Sequence, residues 1–260
     1  MPRFAANLTM LFTERPLAER FAAARAAGFA AVEVLFPYEL PPEALADLAA
    51  DADVTVVLIN APPGDWTAGE RGLAALAGRR AAFRASIDRA LAYARAASVP
   101  RLHVMSGVAP PGAPEAEHAW SEAMAWAADR LGEAGLDLLL EPLNSRDMPG
   151  YFLDEFDRTM ERIERLGRPN VRLQFDIYHR QILRGDVLTG LHALLPWIGH
   201  VQIASVPART EPGTGELDDF RILAALDQAG YSGYVGCEYR PRTRTEAGLG
   251  WLAQVARQEG

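Results

Sequence analysis

Leu136–Glu141 reads LDLLLE and passes directly into Pro142, Leu143 and Asn144. A leucine-rich run closed by a carboxylate suits a short strand buried on both faces, and the proline keeps its exit extended. Val171–Asp176 (VRLQFD), His200–Ala204 (HVQIA, with Gln202 inside it) and Tyr234–Glu238 (YVGCE) repeat the design. Each carries a polar residue able to bind metal at or near its C-terminal end, and each is followed by loop and then helix sequence. Strands of this kind belong to a parallel sheet covered by helices.

Working outward, Phe4–Leu8, Ala31–Phe36 (AVEVLF), Val54–Ile59 (VTVVLI) and Arg101–Met105 (RLHVM) read as further strands. Helical stretches alternate with them. Pro16 opens an alanine-rich helix to Ala27, stopped by Gly28, and Pro41/Pro42 start another that runs to about Ala50. Helices follow at about Gly78–Ala97, Glu115–Leu131, Leu153–Leu166, near Val187–Leu195 after a His179–Arg184 region, Leu217–Ala229 and near Thr245–Arg257. Eight strand-like runs alternating with helices predict an α/β fold, a TIM (β/α)8 barrel whose chemistry gathers at the C-terminal ends of the strands. No linker or composition break divides the chain, so residues 1–260 are expected to form a single domain. No Gly-rich dinucleotide loop follows the first strand, and no GxxxxGK[ST] occurs.

The chain has 34 acidic and 26 basic residues, a formal net charge of -8. That balance argues against a nucleic-acid partner whose phosphates must be neutralised. The single Cys237 excludes an intrachain disulfide framework and suits core packing in a reducing compartment. The opening MPRFAANLTMLF has neither the basic region nor the long apolar run of a leader or membrane span. A cytoplasmic location without membrane contact is therefore expected. Symmetric assembly is the common habit of soluble proteins, and a homo-oligomer such as a dimer is expected.

Glu141, Asp176 and Glu238 close three of the buried runs. A carboxylate there is costly to desolvate unless something pairs with it. For one glutamate alone, a nearby cation explains the position equally well. Recurrence at equivalent places in different units favours one shared divalent metal site, with the Gln202 carbonyl oxygen as fourth ligand. An oxygen-rich set fits Mg²⁺ or Mn²⁺ better than structural Zn²⁺. His179, three residues after Asp176, can donate to a substrate oxygen or cap a loop carbonyl. Arg209, before TEPGTGE, can grip a substrate carboxylate with paired hydrogen bonds or stand exposed on its loop. Asn7, Asn60 and Trp66 sit at or beyond the ends of strands one and three and are candidates to line a small polar pocket. His103 and His200 read as core or structural histidines.

The segments FAANLTMLF, VEVLFPYE, NAPPGDWTAGERG, RLHVMSG, LLLEPLN, QFDIYHRQI, GHVQIASVPARTEPGTGELD and GYVGCEYRPRTRTEAGLGW resemble the hydroxypyruvate isomerase family, within the xylose-isomerase-like barrels. The resemblance implies that Glu141, Asp176, Gln202 and Glu238 face the metal, and that Glu141 and Glu238 move the proton. It also gives His179 and Arg209 to the substrate. The implied reaction interconverts hydroxypyruvate and 2-hydroxy-3-oxopropanoate through a metal-stabilised enediolate, so the expected partner is a small anionic hydroxy-keto acid. Departures at INAP and RDMPGY bear on substrate choice, and 2-oxo-tetronate isomerase or a sugar 3-epimerase is the alternative. A barrel that binds a sugar acid without turnover is a third reading, and an abasic-site endonuclease of the same fold neighbourhood would need a richer histidine and carboxylate cluster and a basic DNA track, neither of which is evident in this sequence.

Overall fold

A computed structural model describes residues 2–257. Eight strands succeed one another around a closed barrel: β1 (Arg3–Asn7), β2 (Ala31–Val34), β3 (Thr55–Asn60), β4 (Arg101–His103), β5 (Asp137–Leu140), β6 (Val171–Asp176), β7 (Ile198–Ile203) and β8 (Tyr234–Cys237). Parallel pairing of β1 with both β2 and β8 closes the sheet. The helices between strands include Leu17–Ala26, Pro42–Asp51, Arg80–Ala96, Pro114–Gly132, Phe156–Leu166 and Asp219–Gln228. This is the (β/α)8 architecture that the strand run predicted.

Two compact units share the chain. One comprises Met1–Val34, Asp47–Val57 and Phe175–Gly260; the other comprises Leu35–Ala46 and Leu58–Gln174. Within the second, Leu138 pairs with Val171 and Leu140 with Leu173, and Leu138, Leu139 and Leu140 are all fully buried. Burial on both strand faces explains why LDLLLE does not alternate. Within the first, Asn7 is in register with Glu33, and Gln202 with Gly236.

Element boundaries differ from the sequence reading in two instructive places. The helix Ile177–Leu183 begins immediately after β6, where the sequence suggested only a region before Val187. Asp176 is its N-cap, so the strand-end carboxylate also starts the helix. The final helix is broken into Thr245–Gly248 and Gly250–Arg257. Among the described residues, no helix is long and apolar enough to cross a membrane.

Candidate active site

In the second unit, Glu141 follows β5 directly and is buried. Gln174 Nε2 of β6 donates to Glu141 Oε2 at 2.9 Å. His103, at the end of β4, places Nδ1 3.5 Å from the same oxygen. Burial pushes the His103 imidazole down to about 3, so it stands beside Glu141 as a neutral ring. Asn60 ends β3 with a buried Oδ1 that accepts no hydrogen bond. Trp66, in the loop after β3, is 41% exposed, with its ring 5.7 Å from Phe36 and the Arg71 guanidinium 3.7 Å over its face.

In the first unit, the two oxygens of Asp176 do different work. Oδ1 accepts from the backbone N–H groups of Tyr178 (2.7 Å) and His179 (3.3 Å). Oδ2 is buried and accepts no hydrogen bond, with Arg209 Nη2 at 3.5 Å and His179 Nε2 at 3.8 Å. Arg209 also donates from Nη2 to Glu238 Oε1 at 2.8 Å, and its guanidinium lies 4.9 Å from the centre of the Tyr178 ring. Its backbone is held at φ 55, a left-handed conformation uncommon for a residue with a Cβ. Such strain concentrates where a side chain must be aimed. Burial drives the Glu238 carboxyl up to about 8 against the opposing pull of Arg209, and the charges of Asp176 and Glu33 add to the rise. A carboxyl titrating near neutrality is suited to passing a proton either way.

Glu141 of the second unit and Asp176 and His179 of the first each offer a buried atom able to ligate a metal. Within the first unit, Asp176 Oδ2 and His179 Nε2 lie 3.8 Å apart, and a carboxylate oxygen beside an imidazole nitrogen suits a divalent cation such as Mg²⁺ or Mn²⁺. The buried Asp176 Oδ2 is the sharper test, because a carboxylate oxygen withdrawn from water without a hydrogen bond is expensive, and a cation removes that cost. The residues fit the group.

The model of the xylose isomerase-like TIM barrel matches residues 21–255. The chain is 51% identical over 257 residues to a 2-oxo-tetronate isomerase of Cupriavidus necator, covering 97% of this chain and 98% of that one. The chain belongs to the xylose-isomerase-like TIM barrel family. Within that family it is also 40% identical to the hydroxypyruvate isomerase of Escherichia coli, over 97% of this chain and 98% of the relative. A crystal structure from Brucella melitensis described as an AP endonuclease, family 2, superposes with a TM-score of 0.94 at 46% identity, covering 98% of this chain and 99% of that one.

On this xylose-isomerase-like barrel, the predicted residues fall into distinguishable groups. Asp176, His179, Arg209 and Glu238 are brought together within the first unit, and Arg209 is buried instead of standing out on its loop. His179, which the sequence assigned to the substrate, sets Nε2 3.8 Å from Asp176 Oδ2. Asn7 is turned to Glu33: its Nδ2 donates to Glu33 Oε2 at 3.0 Å while its Oδ1 accepts from Thr9 N at 3.1 Å. Gln202 likewise directs Nε2 to Glu33 Oε2 at 2.9 Å. Glu33 is the residue that sequence reading passed over. A charged residue in the middle of the apolar run AVEVLF was the available signal, since an unpaired carboxylate is not left inside a barrel.

Proposed function

We propose that this protein isomerises a 2-oxo-tetronate to its 3-oxo isomer by moving a proton between adjacent carbons. The observation that carries this reading is Arg209 held between Glu238 and Asp176, with His179 Nε2 3.8 Å from Asp176 Oδ2 in a pair of donors able to take a divalent cation. An anion-binding guanidinium, a carboxyl poised near neutrality and a cation site are the parts that isomerisation of an acidic hydroxy-ketone requires. The relative at 51% identity over nearly the whole of both chains favours the tetronate over its shorter homologue. Hydroxypyruvate is the second reading, supported by the Escherichia coli relative. It presents the same keto and hydroxyl carbons with one carbon fewer.

Asp176 and His179 would hold the cation, and Glu141, Gln202 and Glu238 are the further ligands that the sequence suggests. When bound, the cation polarises the substrate carbonyl and offsets charge that develops on oxygen. Arg209 takes the substrate carboxylate through its guanidinium, in competition with Glu238, and so loosens the pair that occupies Glu238 in the absence of substrate. One of Glu141 and Glu238 removes the proton from the hydroxyl-bearing carbon and a proton is returned at the neighbouring carbon, while the other carboxyl passes the hydroxyl proton to the former carbonyl oxygen, so that the ketone and the alcohol exchange places. Neutral His103 keeps a second positive charge away from Glu141, leaving that carboxylate basic. Asn60 and Trp66 contribute to the substrate wall.

A nuclease reading, prompted by the description of the Brucella structure, asks the site to receive a polyanion. Net charge -8 opposes that use. The test is a parallel assay of 2-oxo-tetronate, hydroxypyruvate and a neutral ketose with added Mg²⁺ or Mn²⁺. The highest kcat/KM is expected for 2-oxo-tetronate, with solvent deuterium appearing on carbon in D₂O. Turnover of the neutral ketose alone would overturn the assignment.

A further inference from the structure

Glu211 lies buried in the loop after β7 and is none of the groups used above. Both of its oxygens go to one residue of the loop after β8. Oε1 accepts from Arg242 N at 3.0 Å and Oε2 from Arg242 Nε at 3.2 Å. The helix Thr245–Gly248 leaves room for this carboxylate, since a Cβ added to Gly248 would lie 2.5 Å from Glu211 Oε1. Within its own loop, the Glu211 carbonyl accepts from Thr214 N at 3.2 Å and from Thr214 Oγ1 at 2.7 Å. The residue is thus pinned to one loop by its backbone and to the next by its carboxylate.

Arg209 stands two residues before Glu211, and its own partner stands two residues before Arg242. Arg240 N donates to Arg209 O at 2.8 Å, and Arg209 N donates to Ser205 O at 2.8 Å. Two rungs in step therefore join the loops, 209 to 240 through backbone and 211 to 242 through the Glu211 side chain. The first rung carries the left-handed backbone of Arg209, whose Nη2 lies 2.8 Å from Glu238 Oε1 and 3.5 Å from Asp176 Oδ2. A strained backbone persists only where its surroundings over-determine it. Hydrogen bonds to a charged acceptor are roughly twice as strong as neutral ones, so the second rung is the firmer hold.

We propose that Glu211 is a positioning residue: by fastening the loop after β7 to Arg242, it holds the Arg209 guanidinium where a substrate carboxylate meets it, and so sets KM for acidic substrates. The kinetic role rests on the isomerase reading above, whereas the fastening itself does not.

The test uses two variants on different elements. Glu211→Gln keeps the size of the side chain but offers one acceptor oxygen in place of two. Gly248→Ala crowds the untouched carboxylate from the neighbouring helix, where alanine is otherwise preferred to glycine. Circular dichroism identifies which variants keep the fold, and if Glu211→Gln does not, Gly248→Ala carries the same readouts. KM for 2-oxo-tetronate or hydroxypyruvate is expected to rise about 3- to 10-fold, with kcat within about threefold. In an Arg209→Ala background the same change should alter KM by less than about twofold, because the effect passes through Arg209. An unchanged KM, an equal rise in that background, or a loss confined to kcat would overturn the role. Independently, hydrogen exchange at the Arg240 amide, which donates to Arg209 O, should quicken about tenfold or more while amides within β8 keep their rates. Unchanged exchange at Arg240, or uniform quickening through β8, would overturn the fastening whatever the substrate. Quickening confined to Arg240, in a protein whose wild type turns over neither acid, would instead sink the isomerase reading, and with it the kinetic role.

Discussion

Replacing Gly236 by alanine adds a single methyl to β8 and should be among the costliest small changes in this barrel. The new Cβ would lie 1.9 Å from Glu33 Oε1 and 2.5 Å from its Cδ, about 1.5 Å inside ordinary contact. Glu33 cannot swing away freely, because Asn7, Gln202 and His200 hold it and all are fully buried. Either β8 shifts, an overpacking cost of about 1–3 kcal/mol, or Glu33 yields a hydrogen bond to its charge, worth about 1.5–3 kcal/mol. Some of each gives a loss of about 3–5 kcal/mol, well above the usual effect of a conservative substitution. Urea denaturation followed by circular dichroism measures it. A loss below about 1 kcal/mol would show that the cluster has slack and that the close approach is not a constraint. The same substitution in a Glu33→Ala background should cost far less, since the obstructing carboxylate is gone.

Glu141→Gln and Glu238→Gln should each lower kcat by about 100-fold or more with an unchanged circular dichroism spectrum, because shape is kept and the proton acceptor is lost. Asp176→Asn keeps an oxygen to cap the helix at Ile177 but should weaken Mn²⁺ binding about tenfold or more by calorimetry; unchanged affinity would remove Asp176 from the ligand set. Arg209→Ala should raise KM for an anionic substrate about tenfold while affecting a neutral ketose little, a comparison read from initial rates. In chelator-treated protein, the raised Glu238 carboxyl binds its proton more tightly folded than unfolded. That contribution to stability is full below about pH 4.5 and is lost as pH rises through about 8. Asp176 is shifted in the same direction, so denaturation midpoints should fall between pH 5 and 8, and less steeply in Glu238→Gln.

The barrel was legible because fully buried strands carry no alternation and end in polar residues, as LDLLLE and VRLQFD do. The strand-end candidates could be found by the same pattern, and Asp176, His179, Arg209 and Glu238 do meet. Glu33 was hidden by the very burial that makes it informative: it sits inside an apolar run, where a sequence shows a strand but not its inward neighbours, and His200, read as structural, gave no sign of the partner it meets. Gly236 offered a weaker clue, since glycine within a strand often marks a close approach. The helix at Ile177 escaped notice because FDIY continues the apolar strand without a break in period. Only the capping geometry of Asp176 separates one element from the next.

The division of labour within Asp176 would make the backbone a reporter of a cation bound there. Its Oδ1 holds the amide protons of Tyr178 and His179, and its Oδ2 faces His179 Nε2 and Arg209 Nη2. A cation on one oxygen would draw electron density from the other, so its binding would alter how firmly the first helical turn is fastened. The linkage is reciprocal: whatever frays that turn also weakens hold on the ion. Hydrogen exchange at those two amides therefore offers a catalysis-free gauge of occupancy, readable in a protein whose substrate has yet to be supplied.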